Sequence, residues 1–553
     1  MPSFAVFEEA VRGRDLAARR PYLVGADDIP LPAEISLEGA VIRCKKPGAE
    51  ASSLSLLFDA GPSGELMLRT CLLPEREHPY LLSLELARHR IMLFLTKLEE
   101  WLNCDLPGDD GAMALFEQAR QKFTAALAAS GGGARFTLEE DRLARESLRL
   151  AIEASERLSN LVAELMLVPR LEAAVNAAGG AAGGGAGPAG GAAKQVNFWT
   201  GVCVGREHAG AALQKVVAET FDFIVKPMRW TELEPSEGEY SFAKTDKWVE
   251  WAVRQANLPV VGGPLIDFRP GRTPEWLSIW ENDYETLREV IFEHLKRVIG
   301  RYRKAVSRWT VAGGLHLNTQ FPLTLEQMMD LTRLCVMVVK KLQPGAKVNL
   351  EIDQPFGEHY LANTRSAPPM LYAEMVSQQG IAADAYCLRV QMGPGGEGRS
   401  ARDMMQLAAM LDAYSAFNKP LCLILGAPSS PPSAAAPDPD LGTLGASSEP
   451  DPGHWRRPWS QEMQAEWMTH ALTTALSRPW VQSVAWQDLY DAPAADATVE
   501  MACGGLITRD GKPKAALRRL AAIRQGMRRK KPPTRTAATE HPASPAWTEA
   551  GEG

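Results

Sequence analysis

Seven carboxylates sit in or just after short apolar runs: Asp267, Glu351, Asp353, Glu358, Glu397, Asp488 and Asp491. Two carboxyl groups facing each other across a cleft can divide the work of an acid–base reaction, one donating a proton while the other attacks or activates water. Glu351 and Asp353 share parity, so a strand directs both to one side. Glu358 follows the turn-like Pro355-Phe356-Gly357. Asp353, Glu358 and Asp488 are the candidate catalytic carboxylates. Asp267, Arg229, Arg389 and Gln391 would add hydrogen-bonding groups around a ligand, the arginines also bringing countercharge. Trp230 and Trp486 offer flat apolar faces of the kind on which sugar rings stack. The plainer role of each carboxylate is pairing with a nearby Arg or Lys, and that of each tryptophan is core packing.

Other chemistries find no support. The cysteines at 44, 71, 104, 203, 335, 387, 422 and 503 are scattered without a C-x-x-C pair. They read as free thiols of a reducing compartment, with no metal implied. No histidine-rich cluster, phosphate-cradling loop or Ser-His-Asp order is present, so no cofactor is expected. The run Gly179–Gly191 is glycine-saturated and lacks the preceding strand that a dinucleotide fingerprint needs. A net charge of −7 argues against nucleic acid as the partner. No apolar run approaches the ~20 residues of a membrane span. The N-terminus lacks a basic segment followed by an apolar one, and a cytoplasmic location is the expectation.

The elements that would position these residues alternate between strand and helix. Short apolar strands fall near Trp199, Phe223, Val260, Val311, Val348, Leu388, Leu423 and Val484, with helical stretches such as Glu326–Leu342 and Ala401–Ala416 between them. That alternation predicts an α/β fold with a parallel sheet, and the count predicts a (β/α)8 TIM barrel whose ligand site lies at the strand C-termini. Ahead of it, residues 1–176 read as a small α+β module. A hairpin pattern runs through Leu54–Phe58 and Leu66–Leu72. Helices follow over about 80–101, 111–129 and from a capping box at Thr137–Glu140 to about Leu167. The Gly/Ala stretch 177–193 reads as a tether, 194–525 as the barrel and 526–553 as a disordered tail. Ala427–Pro452, rich in Pro, Ser, Ala and Gly, reads as a long loop after strand seven.

Residues 197–523 resemble the family 10 glycoside hydrolases, the retaining xylanases. The resemblance rests on Trp230-Thr-Glu-Leu-Glu234-Pro235-Ser236-Glu237-Gly238-Glu-Tyr240-Ser-Phe242, on Pro274-Glu-Trp276-Leu277, on Trp309 with Val311, and on Gly504-Gly505-Leu506 through Asp510-Gly511-Lys512-Pro513-Lys514-Ala515. It implies the barrel and a carbohydrate ligand. At the family's catalytic positions the chain departs. The acid/base glutamate falls at Gly313 or Gly314, and the nucleophile at Leu425 or Gly426. Retaining hydrolysis needs two carboxyl groups about 5–5.5 Å apart, and glycine and leucine supply neither. The family's Asn-Glu after strand two becomes Lys226-Pro227, its strand-three histidine and tryptophan fall at Gly263 and Asp267, and its Gln-x-His falls at Arg389-Val390-Gln391.

Three readings follow. The first is a xylanase-like carbohydrate-active protein that binds a β-linked polysaccharide or oligosaccharide without ordinary retaining hydrolysis. The second is an active O-glycosyl hydrolase with a rewired carboxylate pair. The third is a non-catalytic scaffold.

Overall fold

The computed structural model describes residues 1–7, 16–104, 106, 111–129, 136–180, 200–205, 210–361, 363–393, 398–431, 453–492, 501 and 503–529. Glu397, most of the loop 427–452 and most of the expected tether and tail lie outside these residues. The helix over Leu138–Gly180 continues into the expected tether, and that over Ala515–Arg529 into the expected tail.

The N-terminal half supplies strands β1 (Ser3–Ala5), β2 (Tyr22–Val24), β3 (Pro30–Leu31), β4 (Glu34–Glu38), β5 (Val41–Lys45), β6 (Ser53–Asp59), β7 (Gly64–Arg69) and β8 (Tyr80–Leu81). The expected hairpin is β6–β7, pairing Leu56 with Leu68 and Phe58 with Leu66. Helices follow over Leu82–Glu100, Ala112–Ala129 and Leu138–Gly180. The third opens on the expected capping box, in which Thr137 Oγ1 accepts from Glu140 N at 3.2 Å and the Glu140 carboxylate accepts from Thr137 N.

The barrel follows as β9 (Thr200–Cys203), β10 (Phe223–Lys226), β11 (Val260–Gly262), the short β12 (Ile266–Asp267), β13 (Val306–Thr310), the short β14 (Ala312–Gly313), β15 (Lys347–Asp353), β16 (Ala385–Gln391), β17 (Leu421–Gly426), the short β18 (His454–Trp455) and β19 (Val481–Trp486). Eight of these close in the order β10-β11-β13-β15-β16-β17-β19-β9. All the pairings are parallel, so helices must return the chain. The fold is a (β/α)8 barrel preceded by α+β elements.

Alternation along the strands sorts side chains between the lumen and the outer helices. Phe223 and Val225, Cys422 and Ile424, and Ala385 and Cys387 stand two apart on their strands. With Cys203, Ala485 and Val261 they form a small apolar cluster of their own, the middle layer of the lumen. At one end Arg308 reaches Asn349 Oδ1 at 3.1 Å and Gln482 Oε1 at 3.4 Å. At the other end the same alternation continues into Glu351 and Asp353 on β15, and Arg389 and Gln391 on β16.

The N-terminal half is docked on the barrel rather than merely preceding it. β18, which follows the seventh barrel strand, pairs antiparallel with β7 and completes the sheet β18-β7-β6-β2-β3. Arg90 forms a buried two-pronged pair with Asp403 at 2.5 and 3.1 Å, and Lys97 meets Asp412 at 3.0 Å. Arg170 donates to the carbonyls of Leu476, Arg478 and Val481, each at 2.6 Å, closing off the end of the helix Gln461–Ser477. No helix among the described residues is long and apolar enough to cross a membrane.

Candidate functional site at the barrel mouth

The carboxyl ends of the strands converge on a layer of paired charges. Asp267, at the end of β12, accepts two bonds from the Arg269 guanidinium, Nε to Oδ1 at 2.7 Å and Nη2 to Oδ2 at 2.6 Å. The third nitrogen of the same guanidinium, Nη1, lies 3.3 Å from Glu351 Oε1 and 3.4 Å from Asp353 Oδ2. From the other side Arg389 grips Glu351, Nε to Oε1 at 3.0 Å and Nη2 to Oε2 at 3.1 Å. Each of these five residues is at least nine-tenths buried. Fork-to-carboxylate pairing of this kind offsets the cost of placing charge away from water.

The glycines at the expected acid/base position have a steric reason. A Cβ on Gly314 would lie 2.5 Å from Arg269 Cγ, and its φ of +62° disfavours any other residue. A Cβ on Gly313 would lie 2.9 Å from Pro264 Cγ and 3.2 Å from Glu351 Oε1. On β17 the ladder pairs Leu425 with Trp486 and Gly426 with Gln391, and a Cβ on Gly426 would stand 3.0 Å from Gln487 Oε1.

The cavity above this layer is small, about 40 Å³. Arg229, Asp267, Arg389 and Asp488, all expected at a site, line it, together with Arg269, Arg272 and Gln487. Ligand pockets for drug-sized molecules run to roughly 300–1,000 Å³, so this cavity by itself takes a small group.

Other expected site residues lie elsewhere. Trp486 is 3% exposed, donates from Nε1 to the Gly504 carbonyl at 2.8 Å and meets Trp467 edge-on. Alternation explains this: Ala485 faces the lumen, so Trp486 faces the outer helices and Gln487 turns back inward. Trp230 is buried with its Nε1 on Glu234 Oε2 at 2.8 Å and its ring stacked on His294. Glu358 pairs with Arg402 and accepts from Ser400 Oγ at 3.2 Å, and it does not line the cavity. Gln391 donates to Gln487 within the lumen. Asp491 is held by Lys514 Nζ at 2.5 Å and Gly505 N at 3.0 Å. Sequence reasoning missed Arg269 and Arg272. The only signal was arginine two residues past the strand-three aspartate, within reach of the same mouth. Among the described residues no group of three or more His, Cys, Asp or Glu is arranged to hold a metal ion.

Residues 191–316 match the profile of glycosyl hydrolase family 10. The barrel resembles the family 10 glycoside hydrolases. Among curated relatives, endo-1,4-beta-xylanase B of Humicola insolens is 29% identical over 117 residues, which is 19% of this chain and 32% of the relative. Endo-1,4-beta-xylanase B of Thermotoga neapolitana is 30% identical over 84 residues, 15% of this chain and 23% of the relative. The chain thus spans a third or less of the length of these relatives. Among solved structures, xylanase 10B from Thermotoga petrophila in complex with xylobiose aligns at 14% identity over 62% of this chain and 99% of its own, with a TM-score of 0.43. The stretch matching family 10 ends at His316, just past Gly313 and Gly314.

Proposed function

We propose that the barrel mouth binds a carbohydrate and does not carry out retaining hydrolysis of it. The observation that supports this most directly is the Arg269 guanidinium, which spans Asp267, Glu351 and Asp353. A nucleophilic or proton-donating carboxyl group must face the sugar, and here an arginine stands between the carboxylates. The family 10 resemblance and the xylanase relatives favour a β-linked glycan as the ligand. Arg229, Arg389 and Asp488 on the cavity wall would contact its polar groups.

The small cavity is the observation that favours a scaffold as the second reading. Purified protein incubated with xylan and with an aryl xyloside is expected to release no sugar, while calorimetry with xylotriose is expected to register binding. Release of sugar with retained anomeric configuration overturns the non-hydrolytic reading. Absence of binding to xylotriose and longer β-linked oligosaccharides leaves the scaffold.

A further inference from the structure

We propose that the mouth cavity is an anion-accepting subsite that takes the carboxylate of an acidic sugar, and so selects uronic acids over neutral sugars. This rests on the mouth being the carbohydrate site proposed above. Among the described residues, the cavity wall presents four arginines, Arg229, Arg269, Arg272 and Arg389, against two carboxylates, Asp267 and Asp488. Glu351 and Asp353, which help hold two of those arginines, do not line the cavity, and the Glu351 side chain is fully buried. The surface that meets a ligand is therefore richer in cation than the network taken whole.

Three of the four arginines are at least nine-tenths buried, with Arg269 4%, Arg272 8% and Arg389 7% exposed. Arg269 and Arg389 are fixed in place by the carboxylates described above, so they lose little side-chain freedom on meeting a ligand. The fourth, Arg229, is tied through Nη1 to Glu232 at 3.0 Å, while its buried Nε has no hydrogen-bond partner among the described residues. A buried N–H donor without a partner carries a desolvation cost that an acceptor would remove.

The guanidinium fork matches carboxylate geometry, and such charge-assisted bonds are about twice as strong as neutral ones. A volume of about 40 Å³ suits a carboxylate-sized group, with the sugar ring outside it. A neutral hydroxymethyl group would enter the same space without any charge to set against the arginines.

Glucuronate and glucose make the direct comparison, since they differ only in carboxylate against hydroxymethyl. Calorimetry on the full chain at low salt should show glucuronate binding at least about ten-fold tighter than glucose, the ratio falling as salt screens the charges. Arg272→Gln should cut glucuronate affinity by about ten-fold and Arg272→Lys by less, because lysine keeps the charge and loses the fork. Melting temperatures confirm that both variants fold. Equal binding of glucuronate and glucose by the wild type overturns the inference, as does unchanged glucuronate affinity in folded Arg272→Gln. If xylotriose binds without any preference for glucuronate, the acidic-sugar inference falls and the carbohydrate reading stands. If inorganic phosphate binds as well as glucuronate and xylotriose does not bind, the site is one for free anions: the acidic-sugar inference and the carbohydrate reading both fall.

Discussion

Arg269 stands where a side chain at Gly314 would begin, its Cγ 2.5 Å from the position of an added Cβ. The two residues are complementary: glycine leaves the room, and the arginine uses it to reach Asp267, Glu351 and Asp353. Absence of a side chain at this position and closure of the charge layer are thus one structural fact.

Gly314→Ala should therefore be costly for a substitution of one methyl group. It meets both the left-handed backbone and the Arg269 stem, and roughly 2–4 kcal/mol of lost stability in urea denaturation is expected. A loss below about 1 kcal/mol would show that Arg269 moves aside easily.

Breaking the network from one side should hurt more than removing both partners. Arg389→Met leaves Glu351 buried without its two-pronged partner, for which about 3–5 kcal/mol is typical. The pair Arg389→Met with Glu351→Leu should recover much of that loss. If the double variant is no more stable than the single one, the cost lies in packing rather than in the stranded charge.

Acid should weaken the fold through two buried imidazoles. His316, whose Nε2 donates to the Asp353 carbonyl at 2.9 Å, is held down to about 4 by burial, and neighbouring His359 to about 3 by burial and by His316. Both lie below the usual 6.5, so the unfolded chain binds the protons first. Their contribution is full above pH 6.5 and is lost as pH falls toward about 4 for His316 and about 3 for His359. Unfolding free energy measured between pH 7 and 4.5 should decline, and a His316→Gln, His359→Leu variant should show a flatter curve. An identical slope in that variant would assign the acid sensitivity to other groups.

Residues 1–176 and 194–525 are proposed as two units joined through the tether. Protease should cut within 177–193, yet the two pieces should travel together on gel filtration, held by Arg90–Asp403, Lys97–Asp412, Arg170 and the β7–β18 pairing. Separate elution of two folded fragments would mean that this interface is weak without the covalent link.

The barrel was legible because its eight apolar strands and the helices between them each follow a local pattern, and the family 10 resemblance lay in contiguous segments. The β6–β7 hairpin and the Thr137 capping box were legible for the same reason. The strands before Ser53 were not: all are short, β1 reaches to β5 and β8 and β2 to β6, and only β4 with β5 and β2 with β3 pair locally. Part of the mouth's lining was legible, and its geometry was not. Arg229, Asp267, Arg389 and Asp488 do meet at the mouth, but Trp486 lost its place to Gln487 through a one-residue change of face. Glu358 belongs to Arg402 across a loop, a pairing that no local pattern announces.

The seam between the two halves also orders events during synthesis. Gln406 bonds to the Met67 carbonyl across 339 residues, and β18 lies farther along still. A ribosome adding about 5–20 residues per second makes β7 wait on the order of 20–70 s for these partners. Throughout that interval the nascent chain presents an unpaired strand edge, open to any passing strand. The polypeptide thus leaves one of its two N-terminal sheets unfinished until the barrel is largely made, and a chaperone that shields such edges would act on the beginning of this chain rather than on its end.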